Sequence, residues 1–131
     1  MADNAWLTDA GEAKIINALA ANTPFNIDNW KLGSTNNVAI DRTLTDVVGS
    51  VLDTGTVADI EFDILSADNI IIRVILDESR GPYDLGNVGL FSNDGTLIAF
   101  GTFEDLISKT PNAIGVVGNR LVLSVPIRFV D

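Results

Sequence analysis

The chain has 131 residues, 8 of them basic and 18 acidic, for a net charge of −10, and it contains neither histidine nor cysteine. An acidic surface repels nucleic-acid phosphates. Without His or Cys there is no Ser-His-Asp triad, Cys-His pair, disulfide or His/Cys zinc site, which leaves carboxylate chemistry, oxygen-ligand metals, or binding and assembly.

A hydrophobic content of 47% is too high for a disordered chain and suffices for one domain spanning 1–131. The acidic charge concentrates in residues 1–65, which carry 3 basic and 10 acidic groups against 5 and 8 in residues 66–131. That bias reads as a solvated face or as a docking patch for a basic partner. Met1 to Ala5 lacks the basic start of a signal peptide, and no apolar run reaches the ~20 residues of a membrane span. The expectation is a soluble protein made in a cytoplasm, with no membrane insertion.

Taken in chain order, the first element is a helix over Ala10 to Ala21. Asp9 and Glu12 stand at capping-box spacing, and Ile15, Ile16 and Leu19 form an apolar stripe expected to pack on the core. Asn22-Thr23-Pro24 ends it. Phe25 and Ile27, then Trp30 and Leu32, alternate in opposite phases, which predicts a bulge near Asn29. Asp41 to Leu52 has helical spacing but weak propensity and reads as a short helix or turn.

Ile60, Phe62 and Ile64 alternate with Asp59, Glu61 and Asp63, as in a half-buried strand. In Asn69 to Asp77, Ile70, Ile72, Val74 and Leu76 form one apolar face, while Ile71 and Ile75 flank Arg73 on the other. Such a strand needs two covers. Leu85 to Phe103 reads as a hairpin turning at Asp94-Gly95, with Phe91 opposite Ile98 and Gly89 opposite Phe100. Leu121, Leu123, Val125, Ile127 and Phe129 alternate cleanly, and Pro126 on the other phase marks either an edge strand or a bend at that residue. The fold class is mainly β, an antiparallel β-sandwich-like domain with one N-terminal α-helix.

Three stretches offer chemistry. Val51-Leu52-Asp53-Thr54-Gly55-Thr56 resembles the Asp-Thr-Gly signature of aspartic proteases, in which two carboxylates share one proton. Val116-Val117-Gly118-Asn119-Arg120 resembles their second, hydrophobic-Gly segment. The alternative function is therefore a small homodimeric aspartic protease using Asp53-Thr54-Gly55, although a helix stands where that family builds strands. Ser92-Asn93-Asp94-Gly95 and Asp77-Glu78 carry oxygens for calcium but lack the ligand spacing of an EF-hand. Trp6, Trp30 and Tyr83 are candidates for stacking on a sugar or for packing in a core or interface.

A resemblance covers nearly the whole chain, from about Leu7 to Val130. Leu7-Thr8-Asp9-Ala10-Gly11, a helix, Thr23-Pro24 and Trp30-Lys31-Leu32-Gly33 resemble the opening of the phage tail-collar fibre family, the N-terminal virion-attached domain of tail fibres. Leu85-Gly86-Asn87-Val88-Gly89-Leu90-Phe91 followed by Asp94-Gly95-Thr96-Leu97-Ile98-Ala99 is similar to the family's "EIGLFDxxGxLIA" stretch, and Lys109 falls where the family often has a lysine. Asn87 replaces its usual Glu and Ser92 its usual Asp.

The resemblance implies a non-enzymatic structural protein of the virion tail, at the baseplate or fibre base. It implies other tail or baseplate proteins as partners, three-fold self-association, and no catalytic, metal-binding or cofactor-binding residue. The chain stops at Asp131 without a shaft, which points to a stand-alone attachment piece. The residues expected to carry partner contacts are Trp6 and Leu7, as an anchor offered to a neighbour or tucked into the core, and Ile71 and Ile75 on the second face of their strand.

Overall fold

The computed structural model describes residues 4–23, 26–66 and 69–128. Its elements are β1 (Asn4–Leu7), α1 (Asp9–Ala20), β2 (Asn29–Gly33), β3 (Val51–Thr56), β4 (Ile60–Ser66), β5 (Asn69–Leu76), β6 (Tyr83–Phe91), β7 (Leu97–Lys109) and β8 (Leu121–Arg128). They form two antiparallel sheets, β1-β7-β6-β2-β3 and β4-β5-β8. The sheets pack face to face. Trp30, Leu32, Leu85, Val88 and Leu90 of the large sheet join Ile72, Val74, Leu76, Leu123 and Val125 of the small one in a single core. This is the mainly β sandwich with one N-terminal helix that the alternating patterns predict.

The large sheet is covered on its other face as well. Trp6, Phe91, Leu97 and Phe100 lie there under Val38, Leu44, Val47 and Val48. The helix-like spacing of Asp41 to Leu52 is therefore corrected. Residues 41–50 are turns and bends, and their apolar side chains are spaced to reach the sheet beneath them. Buried Asn87 staples this cover. Its Nδ2 donates to the Thr35 and Val48 carbonyls at 2.7 and 2.9 Å, and its Oδ1 accepts from the Val48 amide at 3.3 Å. In the small sheet β8 pairs with β5, and Pro126 stands opposite Ile71 on that edge strand.

The hairpin turns at Gly95, whose φ of +88° suits glycine. Gly89 pairs with Phe100 as expected, but Phe91 pairs with Leu97, not Ile98, because β7 carries one extra residue there. That bulge receives the start of α1. The Ile98 carbonyl accepts from the Thr8 amide at 3.0 Å, and the Thr8 hydroxyl donates to the Leu97 carbonyl. Thr8 also caps the helix, accepting from the Gly11 amide at 2.9 Å, one residue before the expected Asp9. A further correction concerns β2. The register irregularity lies between Leu32 and Gly33 rather than at Asn29, where the strand begins. Pro24, Phe25 and Phe129 lie outside the described residues.

The helix does not use the expected stripe. Ile15 packs partly against the core, but Ile16 is 56% exposed and Leu19 more so. The close contact is Gly11, where a Cβ would stand 2.2 Å from the Ile98 carbonyl oxygen. A methyl-free residue lets the helix backbone lie on a strand backbone, and the stripe is turned aside. Gly11→Val is expected to destabilise the fold by about 1–3 kcal/mol through overpacking. Ile16→Ala should stay within about 0.5 kcal/mol. Urea unfolding of both variants checks the pair, and a costly Ile16→Ala would restore the stripe as the packing face.

Candidate functional site

The Asp-Thr-Gly motif lies on β3, an edge strand of the large sheet. Each of its residues has a local partner. The Arg80 guanidinium reaches both Asp53 oxygens from one nitrogen at 3.0 and 3.1 Å, and its other nitrogen meets Asp59 Oδ2 at 3.3 Å. The Tyr83 hydroxyl donates to Asp53 at 2.7 Å. The Thr54 carbonyl accepts from Arg80 at 3.3 Å. Gly55 pairs with Trp30 across β2 and β3, and a Cβ on it would strike the indole at 2.3 Å. The buried indole donates to Asp59 at 3.1 Å, and the guanidinium carbon sits 4.8 Å from its ring centre.

Lys109, fully buried, donates to the Arg80 and Thr110 carbonyls at 2.8 and 3.1 Å. The cluster thus joins β2, β3, β6, the end of β7 and two of the segments that pass between the sheets, the β3–β4 connection with Asp59 and the β5–β6 connection with Arg80. Chemically it neutralises charge and fixes an indole. Asp53 is occupied by a cation and a phenol, and the motif's glycine is spent on an aromatic contact. The sequence reading did not identify Arg80 or Asp59. Arg80 follows Asp77-Glu78-Ser79 in a polar connection, and its partners are brought together by sheet pairing over 21 to 27 positions.

The other candidates resolve locally. Asp77 accepts from Ser79, which holds its carboxyl below the usual range. Asp94 takes Lys14 at 2.6 Å and also accepts from Ser92 and Thr96, so its carboxyl lies far below that range. Both serve turns, the second also pinning α1. Among the described residues no three His, Cys, Asp or Glu side chains gather as metal ligands. Trp30 packs as above, and Tyr83 is half-buried against Asp53.

Trp6 takes the inward one of its two expected places. It is 5% exposed, lies 5.0 Å from the Phe100 ring centre and donates to the Asp41 carbonyl at 3.1 Å. Leu7 is buried in the main core. Ile71 and Ile75 lie half-buried on the outer face of the small sheet, opposite Pro126 and Val122. Between these two apolar pairs Arg73 meets Asp63 at 3.1 Å. The inner face of β4 also emerges from the core, from Ile60 at 9% through Phe62 at 50% to Ile64 at 73% exposure.

Tyr83 gives the cluster a readout, because it is the chain's single tyrosine. Burial, then the hydrogen bond to the Asp53 carboxylate, raises its pKa well above the ordinary value of 10.0. The folded chain therefore holds this proton more tightly than the unfolded one. The resulting stability is complete below about pH 10 and is lost as pH rises toward the folded value. Tyrosinate absorbance should appear only above the ordinary range while the chain stays folded. Asp53→Asn should bring it down. A midpoint near 10 in the folded protein would dissolve the Tyr83–Asp53 contact.

Comparison with curated proteins and with solved structures finds no match to this chain. The model of one family, described as phage tail-collar fibre protein, N-terminal, matches residues 1–130. That span takes in both sheets, the helix on its β7 bulge and the Trp30 cluster, so the chain belongs to the N-terminal domain family of phage tail-collar fibre proteins.

Proposed function

We propose that this chain is a non-enzymatic structural protein of a phage tail that holds host-binding fibres on the baseplate, assembled as three copies. The family match over residues 1–130 carries the proposal. It is supported by apolar surface left over once the core is filled. Ile71, Ile75 and Val122 stand on the outer face of the small sheet with no layer of the described chain over them. These positions alternate there with Glu61, Asp63, Arg73 and Ser124, a mixed face that suits a neighbour covering the apolar residues and meeting the polar ones.

The proposed contact with a neighbouring tail subunit is this outer face, centred on Ile71 and Ile75. Trp6 and Leu7 contribute indirectly, by holding β1 and the helix start in place. The Arg73–Asp63 pair between the apolar positions gives such a contact a polar register mark.

Particles made without this chain are expected to lack fibres, as seen by electron microscopy, and fully fibred particles from the deletion would overturn the role. Ile75→Asp should leave thermal unfolding nearly unchanged and lower incorporation into particles roughly tenfold, as expected for a central interface residue. Normal incorporation of that variant would remove the outer face from the proposal.

A further inference from the structure

The loop between β7 and β8 presents aliphatic side chains to water on a fixed frame. Ile114 is fully exposed, and Val116 and Val117 are exposed beside it. The frame is well tied. Ala113 and Val116 exchange backbone hydrogen bonds at 3.0 and 2.9 Å, and the Asn112 carboxamide oxygen accepts from the Gly118 amide at 2.7 Å. Asn119 accepts from the Thr110 amide at 2.8 Å and donates to the Ser108 carbonyl at 2.9 Å. The Asn112 amide reaches the Glu78 carbonyl at 2.7 Å. A loop ordered in advance loses little further entropy when it docks.

At the other end of the sandwich an apolar pocket of about 470 Å³ opens between α1 and the two sheets, lined by Leu7, Ile15, Ile27, Phe62, Ile70 and Ile127 among others. Pockets that enclose a small apolar ligand run from roughly 300 to 1,000 Å³, so this one has room for two aliphatic side chains. β8 connects the two features. It starts at Leu121, directly after the loop, and reaches the pocket at Ile127. Six residues of strand separate them by about 20 Å, too far for a chain to fill its own pocket with its own loop.

Charge narrows the choice of occupant. Two copies at −10 each repel wherever their carboxylates approach. The two longest uncharged runs in the sequence are 15–27 and 110–119. The first supplies Ile15, Asn26 and Ile27 to the pocket, and the second is the loop. Asp28 also lines the pocket, but the 110–119 loop brings no carboxylate against it, so an acidic chain can meet a copy of itself here without opposing like charges.

We propose that the Ile114–Val117 tip of one copy inserts into the pocket of the next. The contact is heterologous, made head to tail, and closes into a ring when the rotation between copies allows. It deepens the self-association proposed above by naming its surface, and it is separate from the Ile71–Ile75 face.

The absence of cysteine from the chain makes the test direct. Full-length Ile114→Cys and Phe62→Cys proteins are oxidised with oxidised glutathione, each alone and mixed in equal amounts. Both positions are at least half exposed, so the substitutions leave the core intact. The mixed disulfide dimer should form at least about tenfold faster than either homodimer, because only the mixture brings tip to pocket. A mixed dimer no faster than the homodimers overturns the proposal, as does a dominant Phe62→Cys homodimer, which would mark a two-fold contact at the pocket. Adding Val117→Asp to the Ile114→Cys partner should abolish the preference, and adding Ile75→Asp should leave it intact. The reverse pattern would move self-association to the outer face. Fibre loss in the deletion particles is read independently, so failure here leaves the tail role standing.

Discussion

The indole of Trp30 lies against the bare backbone of Gly55 on the neighbouring strand of the same sheet, and the polar cluster at that edge of the sandwich is built on the contact. A side chain at position 55 would push the ring off its seat. The ring in turn donates its N–H to Asp59 and carries Arg80 on its face, so one aromatic touches two of the connections between the sheets, β3–β4 and β5–β6. Arg80 then gathers Asp53, and Asp53 gathers Tyr83 from β6. This polar cluster adds to the apolar core and the strand ladders at the edge where β3 ends its sheet. The cluster is partly buried, where pairing an arginine with two carboxylates matters more than on an open surface.

What could be read in the sequence follows from how local each signal is. The two-faced β5, the edge character of β8 and the Gly89–Phe100 register rest on period-two patterns and a turn dipeptide, and these are properties of neighbouring residues. The bulge at Ile98 was not readable, because it exists to receive Thr8 from 90 positions away. For the same reason the helix stripe misled. Ile15, Ile16 and Leu19 describe a face the helix can make, but Gly11 decides which face it presents, and that depends on a strand formed much later in the chain. Asp41 to Leu52 kept a helical spacing without a helix, because Leu44, Val47 and Val48 are spaced to meet Trp6 and Phe100 instead.

The candidate site divides in the same way. Asp53-Thr54-Gly55 was visible as a motif, yet its meaning came from Arg80, Tyr83 and Trp30, none adjacent in sequence. Ile71 and Ile75 were visible as unpartnered positions because a strand's two faces alternate, and the fold leaves them on the uncovered side. Ile114 stood out least. An apolar residue in a loop is unremarkable until the loop proves to be tied at Asn112 and Asn119 and to hold its side chain out in water.

Polar and apolar groups are treated differently throughout the molecule. Among the described residues every buried side-chain nitrogen and oxygen has a partner, including Asn87 and Lys109, while Ile64, Leu19, Ile114 and Val117 remain in water. The exposed aliphatic side chains are the surface on which the association proposed above would draw. The charge of −10 sets when this happens. At low ionic strength, repulsion between copies works against apolar contact, and salt shortens its range to about 8 Å at physiological strength. The self-association proposed above is therefore expected to strengthen with protein concentration, by mass action, and with salt, which screens the carboxylates.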